Sequence, residues 1–404
     1  MGGGGAYETF TGADDERDLS GGKPSGVGVA SKVRYLDGKW SRQVAMIEVD
    51  KGLADVVVGE TAISLVDGAN GALYYRGCDV DELVDWPFAE VAAWVLTGRR
   101  GMGHELEAEL TASAALSARE AGLVLGLPRT THPMLALQCA AVGLDDSERF
   151  ADYGEAAPGL AVAAKLPTLI ATHLAGAMLP PNDEANGIDR FLAQIDAPGG
   201  AAARRAFETM QILQIEHGFN ASTYAARVIA STLAPVQSVI AGAIGTLHGR
   251  LHGGADQAAL EAADRVGSPD QAAQFVDACI ARKQRVMGMG HREYRTLDPR
   301  AKHARRWAQA LTQGTEHEAT FETLAAIERR FNERMAERGK AMHANIEFYK
   351  GLIYRALGLP ARYFTACFAM ARVFGYLAHF MESRQDNRLI RPAVRYVGPT
   401  VAVG

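Results

Sequence analysis

Residues 201–250 read AAARRAFETMQILQIEHGFNASTYAARVIASTLAPVQSVIAGAIGTLHGR. Alanine, leucine, isoleucine and methionine run through the stretch, and its one proline is Pro235. That composition predicts a nearly unbroken helical region with a break near Pro235. The same texture extends both ways. Asp81–Val84, Phe88–Leu96, His104–Ala121, Met134–Val142 and Gly159–Leu179 read as helices before it. After it come a charged helical stretch, Lys302–Lys340, and an apolar helix, Phe364–Met381, with Arg372 and His379 embedded in it. Proline or glycine punctuates every ten to twenty residues or so, as helix ends require. Short β-prone runs occur only near the start, at Val56–Val58, Thr61–Leu65 and Gly71–Tyr75, enough for a small hairpin or meander. Residues 1–43 are rich in glycine and charge and are expected to be a mobile extension.

The chain has 404 residues, 48% of them apolar and 22% charged, with a net charge of −5. This is a globular composition, long enough for a sizeable core and more than one domain. Its mild acidity argues against nucleic acid as a partner. Cys78, Cys139, Cys279 and Cys367 lie far apart, which excludes a disulfide scaffold and a thiolate zinc cluster and favours a reducing compartment. No apolar run reads as a membrane span, and no basic-then-apolar leader is present, so a cytoplasmic protein is expected.

In a mostly helical protein, polar residues on apolar helices require explanation. His217, His252 and His291 each stand beside a glycine, in Glu216-His217-Gly218, His252-Gly253-Gly254-Ala255 and Gly288-Met289-Gly290-His291. One such histidine is ordinarily a hydrogen-bonded structural residue; three together point to a site. None has the spacing of a zinc motif. Arg300, Arg372 and Arg391 form a second group, and Arg372 interrupts an otherwise apolar run. It needs an anion, either a structural carboxylate or a substrate, and guanidinium groups beside histidines suggest a substrate with carboxylates.

These segments together resemble the citrate synthase family. The matching pieces are Glu60–Ser64 with Tyr75-Arg76-Gly77, His217 with Asn220-Ala221-Ser222-Thr223, and His252–Ala255, which lies 35 residues further on. Met287–His291 with Asp298-Pro299-Arg300, the Arg372 segment, and Leu389–Pro392 with Tyr396-Val397-Gly398 complete them. The resemblance runs in consistent order from about residue 46 to the C-terminus. It implies a mainly α, two-domain helical fold with a small N-terminal β element. Residues 44–254 and 356–404 would form the large domain and 255–355 the small one.

The implied activity is condensation of oxaloacetate with acetyl-CoA to citrate and free CoA. A 2-methylcitrate or other alkylcitrate synthase using propionyl-CoA is the alternative. By position, His252 would stabilise the enol, His291 would polarise the ketone of oxaloacetate, and His217, Arg300 and Arg372 would bind oxaloacetate. Arg391 would reach in from the other subunit of a homodimer. Arg295, Arg285 and Lys340 are candidates for the CoA phosphates. No tightly bound cofactor and no metal is implied; acyl-CoA is a co-substrate.

Two segments depart from the family pattern, with Ala344 where proline is expected before Asn345 and Gln257 where glutamate is common after Asp256. Glu347, in Asn345-Ile346-Glu347, stands where the family's base is aspartate, 56 residues after His291 and 25 before Arg372. The two acids differ by only about half a unit in intrinsic pKa, but glutamate is a methylene longer, about 1.5 Å. Such a displacement costs on the order of a hundredfold in rate unless the surroundings compensate. A non-catalytic paralogue that binds oxaloacetate or CoA is therefore a further alternative, and a carbon–carbon lyase on the same fold ranks below it. Asp256 follows the His252 loop where asparagine is common, and its charge is expected to raise the pKa of His252.

Overall fold

A computed structural model describes residues 49–53, 56–144, 148–180, 182, 184 and 186–399. The expected mobile extension, residues 1–43, lies outside them. The described residues from 61 to 399 pack as one unit around the helix Phe364–Gln385. Apolar residues cover this helix on all sides, so it can only lie inside the protein. It packs against the helices Phe88–Thr97, Ala157–Ala175, Gly200–Gln214, Ala221–Ser231 and Val236–Leu247. Among the described residues, the segment Ala361–Gln385 that contains it is the one helix long and apolar enough to cross a membrane, and 89% of its apolar window is buried in the core.

Gly375 sets how closely that helix can approach its neighbours. A Cβ there would stand 2.3 Å from the Ile215 carbonyl oxygen, so only glycine permits the contact. The approach brings Arg372, one turn earlier, beside the Gln214–His217 segment.

The long region 201–250 is three helices, not two. Pro235 breaks it as expected, but a second break falls at residues 215–220, between Gly200–Gln214 and Ala221–Ser231. Gly218 takes φ 59°, and the Asn220 side chain accepts from Thr223 N to start the next helix. Propensity alone hides this break because the residues before it are good helix formers. His104–Ala121 likewise divides into Gly103–Ser113 and Ala118–Leu125, since Ser117 and Glu120 form a capping box.

The β element is a three-stranded antiparallel sheet of Ser64–Asp67, Ala72–Tyr75 and Cys78–Asp79. Val56–Val58 is not a strand; Val57 is 89% exposed. Tyr75 anchors the sheet by donating its hydroxyl to the Ile212 and Glu216 carbonyls, at 3.2 and 3.1 Å, so the sheet lies against the His217 break.

Candidate active site

Five of the motif residues converge on one cleft. His217 sits at the break between helices, and its ring lies 5.2 Å from that of His291, centroid to centroid. Tyr294 bridges the two. Its hydroxyl is 3.0 Å from His217 Nε2, and its ring is 4.7 Å from that of His291. A few residues further along the chain, Arg300 is buried and clasped by Asp298 through Nε and Nη2 at 2.9 and 3.0 Å. Burial alone would raise Asp298 and lower Arg300. Their mutual attraction reverses both, so the carboxyl is held below and the guanidinium above its ordinary range.

Arg372 differs. It is 1% exposed, its Nε donates to the Gln214 carbonyl at 2.6 Å, and its Cζ lies 4.7 Å from the Phe368 ring centre. No carboxylate among the described residues lies within ion-pair distance of it. A buried cation with no direct ion pair, with Glu216 acting on it only across a distance, can still take an anionic ligand.

The two remaining histidines are fixed as neutral donors with opposite tautomers. His291 Nδ1 faces the backbone N–H groups of Glu293 and Tyr294, at 3.0 and 3.3 Å. A backbone N–H can only donate, so Nδ1 accepts and the ring proton sits on Nε2. At His252 the acceptor is Nε2, which faces Ser222 N at 3.3 Å and Ser222 Oγ at 2.8 Å, leaving the proton on Nδ1. Tyr376 donates to Ser222 Oγ at 2.8 Å behind it. Burial, then Arg372, lowers His252 to about 4; burial, then Arg300, lowers His291 to about 4. Burial also holds His217 well below its ordinary value, with Arg300 and His291 adding to it. The expected rise at His252 is therefore overturned: Asp256 is turned toward Lys350, and the desolvated imidazole stays neutral.

Glu347 opens the helix Glu347–Ala356 beside the His291 loop. Two backbone hydrogen bonds zip the segments together, Asn345 N to the Gly288 carbonyl at 2.9 Å and Gly290 N to the His343 carbonyl at 2.7 Å. The Asn345 side chain adds a bond to the Gly290 carbonyl at 2.8 Å and receives Glu347 N at 2.9 Å. Gly288, at φ 78°, lets the strands close, since a Cβ would meet Phe348 at 2.9 Å. The Glu347 charge is near enough to favour protonation of His291 against the larger effects of burial and Arg300.

A cavity of about 340 Å³ opens at His291 and is lined also by Gly290, Tyr294, Arg295, Lys340 and Met342. It shares Asp298, His343 and Ala344 with a cleft of about 810 Å³ that carries Lys302, Arg305 and Arg306. Arg295 and Lys340 thus stand at the site. Arg285 is exposed and lines neither cavity, and Arg391 is exposed on the tail after the Phe364–Gln385 helix. Sequence reasoning gave no role to Tyr294, Ser222, Tyr376 or Lys350. Ser222 lay in a quoted motif, but its bond to His252 spans 30 residues and has no local signal.

Neutral imidazole donors, buried guanidinium groups and a carboxylate in one cleft define an enzyme for proton abstraction beside a carbonyl on an anionic substrate. Comparison narrows the class. The family model described as "Citrate synthase, C-terminal domain" matches residues 52–393. A citrate synthase from Synechocystis sp. is 36% identical over 362 residues, covering 86% of this chain and 90% of that one. A 2-methylcitrate synthase from Mycobacterium tuberculosis is 35% identical, covering 87% and 91%. The crystal structure of citrate synthase from Thermotoga maritima superposes with a TM-score of 0.78 at 32% identity, over 88% and 97% of the two chains. That from Thermoplasma acidophilum, a ternary complex with carboxymethyl coenzyme A and oxaloacetate, gives 0.79 at 27%, over 88% and 97%. The chain belongs to the citrate synthase family.

Proposed function

We propose that the chain condenses oxaloacetate with an acyl-CoA and then releases free CoA, with acetyl-CoA giving citrate and propionyl-CoA the 2-methyl product. The observation that carries this is the pair of oppositely tautomerised neutral histidines beside a buried guanidinium. Glu347 removes a proton from the acyl carbon next to the thioester. His252 Nδ1–H donates to the thioester oxygen as enolate charge develops there, and His291 Nε2–H donates to the oxaloacetate ketone under attack. Neutral imidazoles suit both tasks, because they donate without tying up a proton that must later move. Arg372, Arg300 and His217 hold the oxaloacetate carboxylates and carbonyl. Arg295 and Lys340 face the CoA phosphates. Water then cleaves the thioester of the condensed product, leaving the free acid and the CoA thiol.

The reading includes a homodimer. The tail 386–399 leaves Leu389, Val394, Tyr396 and Val397 exposed, with Arg391 among them, an apolar surface suited to a second copy. Arg391 then completes the partner's oxaloacetate site. Closure of residues 255–355 on the rest would exclude water during the reaction. The enzyme works in the cytoplasm, where acyl-CoA is its co-substrate and no tightly bound cofactor is needed.

The test is thiol release from purified protein with oxaloacetate and, in parallel, acetyl-CoA or propionyl-CoA. Release that depends on oxaloacetate is the expected result, and the substrate with the higher kcat/KM names the product. The expected preference is modest, since one methylene is worth about 1–3 kcal/mol. Silence with both substrates, while oxaloacetate still binds, would replace this reading with that of a binding paralogue.

A further inference from the structure

Two of the positions that depart from the family pattern, Glu347 and Asp256, touch one side chain. Lys350 is fully buried, on the helix that Glu347 opens. Its Nζ donates to Glu347 Oε1 at 2.9 Å and to Gln214 Oε1 at 2.9 Å, and it stands 3.2 Å from Asp256 Oδ2. An ammonium has three donors, and here three oxygens surround it. Gln214 is itself locked, with its amide nitrogen bonded to the Met210 carbonyl at 2.7 Å and the Tyr354 hydroxyl at 2.8 Å, so its oxygen is committed to Lys350. The ammonium also lies 4.5 Å from the centre of the Phe368 ring, the ring that Arg372 approaches from its own helix.

A buried lysine requires counter-charge, and a buried aspartate requires a cation. Asp256, which is fully buried, meets that need from the first turn of the helix Ala255–Val266. Glu347 is then the second anion on the same cation. The other titratable or charged groups facing the cluster are Cys367 and Arg372 from the central helix, Tyr354 from the helix that carries Lys350, and His291 from the loop. Burial keeps the Cys367 thiol and the Tyr354 hydroxyl protonated. Burial also pushes Asp256 up despite the pull of Lys350, with the Glu347 charge adding to the rise.

We propose that Lys350 is a positioning residue for the condensation: its ammonium, fixed by Gln214 and balanced by Asp256, pairs with the Glu347 carboxylate and fixes it in one placement beside the His291 loop. This answers the geometric problem of the longer acid. A free glutamate would spread over several rotamers, whereas one tied to a cation at i+3 on its own helix has a single placement. The proposal rests on the condensation reading for what Glu347 does, but not for the charge coupling itself.

Carbon-13 NMR titration of the Glu347 carboxyl needs no turnover and is read beside the pH profile of kcat/KM for thiol release. In Lys350→Met the Glu347 midpoint rises by about one unit or more, and the acid limb of the profile rises with it. KM for oxaloacetate stays within about threefold, because the oxaloacetate-binding groups are untouched. Lys350→Arg keeps the charge and holds the midpoint near that of the wild type, which a purely space-filling role would not require. Should Lys350→Met leave Asp256 uncompensated and the chain unfolded, Asp256→Asn/Lys350→Met removes both charges, and a smaller rise in the same direction is read there, because the repulsion from Asp256 is lost with it. A Glu347 midpoint unmoved in the charge-removing variants overturns the assignment of Lys350, whatever the turnover. A wild type that releases no thiol, with the midpoint still coupled to Lys350, overturns the condensation instead.

Discussion

On the histidine side of the cleft, His252 and His291 are each held by backbone N–H groups, whereas on the carboxylate side Glu347 is held by an ammonium that also faces Asp256. The first arrangement fixes a proton on a chosen nitrogen without any net charge. The second fixes the direction of a charge by placing another beside it. Neutral donors tolerate burial well, so their positions follow from short loops and helix starts. A buried carboxylate needs a partner of opposite sign, and that partner needs balancing in turn. Substituting the base therefore draws in charged residues on other helices, while the histidine side relies on neutral hydrogen-bond partners.

That contrast can be broken at several points. Glu347→Gln removes the base and keeps the shape, so thiol release should fall by about a thousandfold, within the 10²–10⁴ range of general-base effects, with oxaloacetate binding retained. Release within tenfold of the wild type would move the base elsewhere. His252→Ala should cost about 10²–10³ in kcat, the value of one oxyanion donor, with KM for oxaloacetate nearly unchanged. Arg372→Leu should act mainly on KM for oxaloacetate, by about ten- to a hundredfold, because it removes hydrogen bonds to a charged ligand. Ser222→Ala removes the hydroxyl contact to His252 Nε2 and leaves the backbone N–H in place. A loss in kcat of about tenfold, the scale of a single hydrogen bond, is expected.

The smallest effect is on stability against pH. His252 and His291 ordinarily titrate near 6.5 and are lowered to about 4 in the fold. The unfolded chain then binds more protons than the folded one between those values. The stability they contribute is fully present above pH 6.5 and is lost as pH falls toward 4. Proton NMR of the ring C–H groups should give midpoints near 4, and values near 6.5 would contradict the desolvation of these two rings.

Much of the histidine side is legible in the sequence, because its groups lie in short motifs with glycine or proline at the turns. The break that carries His217 is not. Gln211 to Glu216 are adequate helix formers, and the chain leaves the helix where tertiary packing around Gly375 and Gly218 favours it. The carboxylate side is legible only in part. Glu347 and Asp256 stand out as departures, yet Lys350 reads as an ordinary surface lysine until the fold buries it. Arg285 illustrates the opposite limit. It lies six residues before His291 in sequence and lines neither cavity beside that histidine.

The most direct measurement is deuterium wash-in to the methyl group of acetyl-CoA, by NMR in D₂O, with a 2-hydroxy dicarboxylate in place of oxaloacetate. That compound fills the anion site but offers no ketone to attack, so it isolates proton removal from condensation. The wild type should exchange the methyl protons, and Glu347→Gln should lose exchange by about a thousandfold while still binding the dicarboxylate. Exchange in Glu347→Gln within tenfold of the wild type would contradict the account, because the base would then lie elsewhere in the cleft.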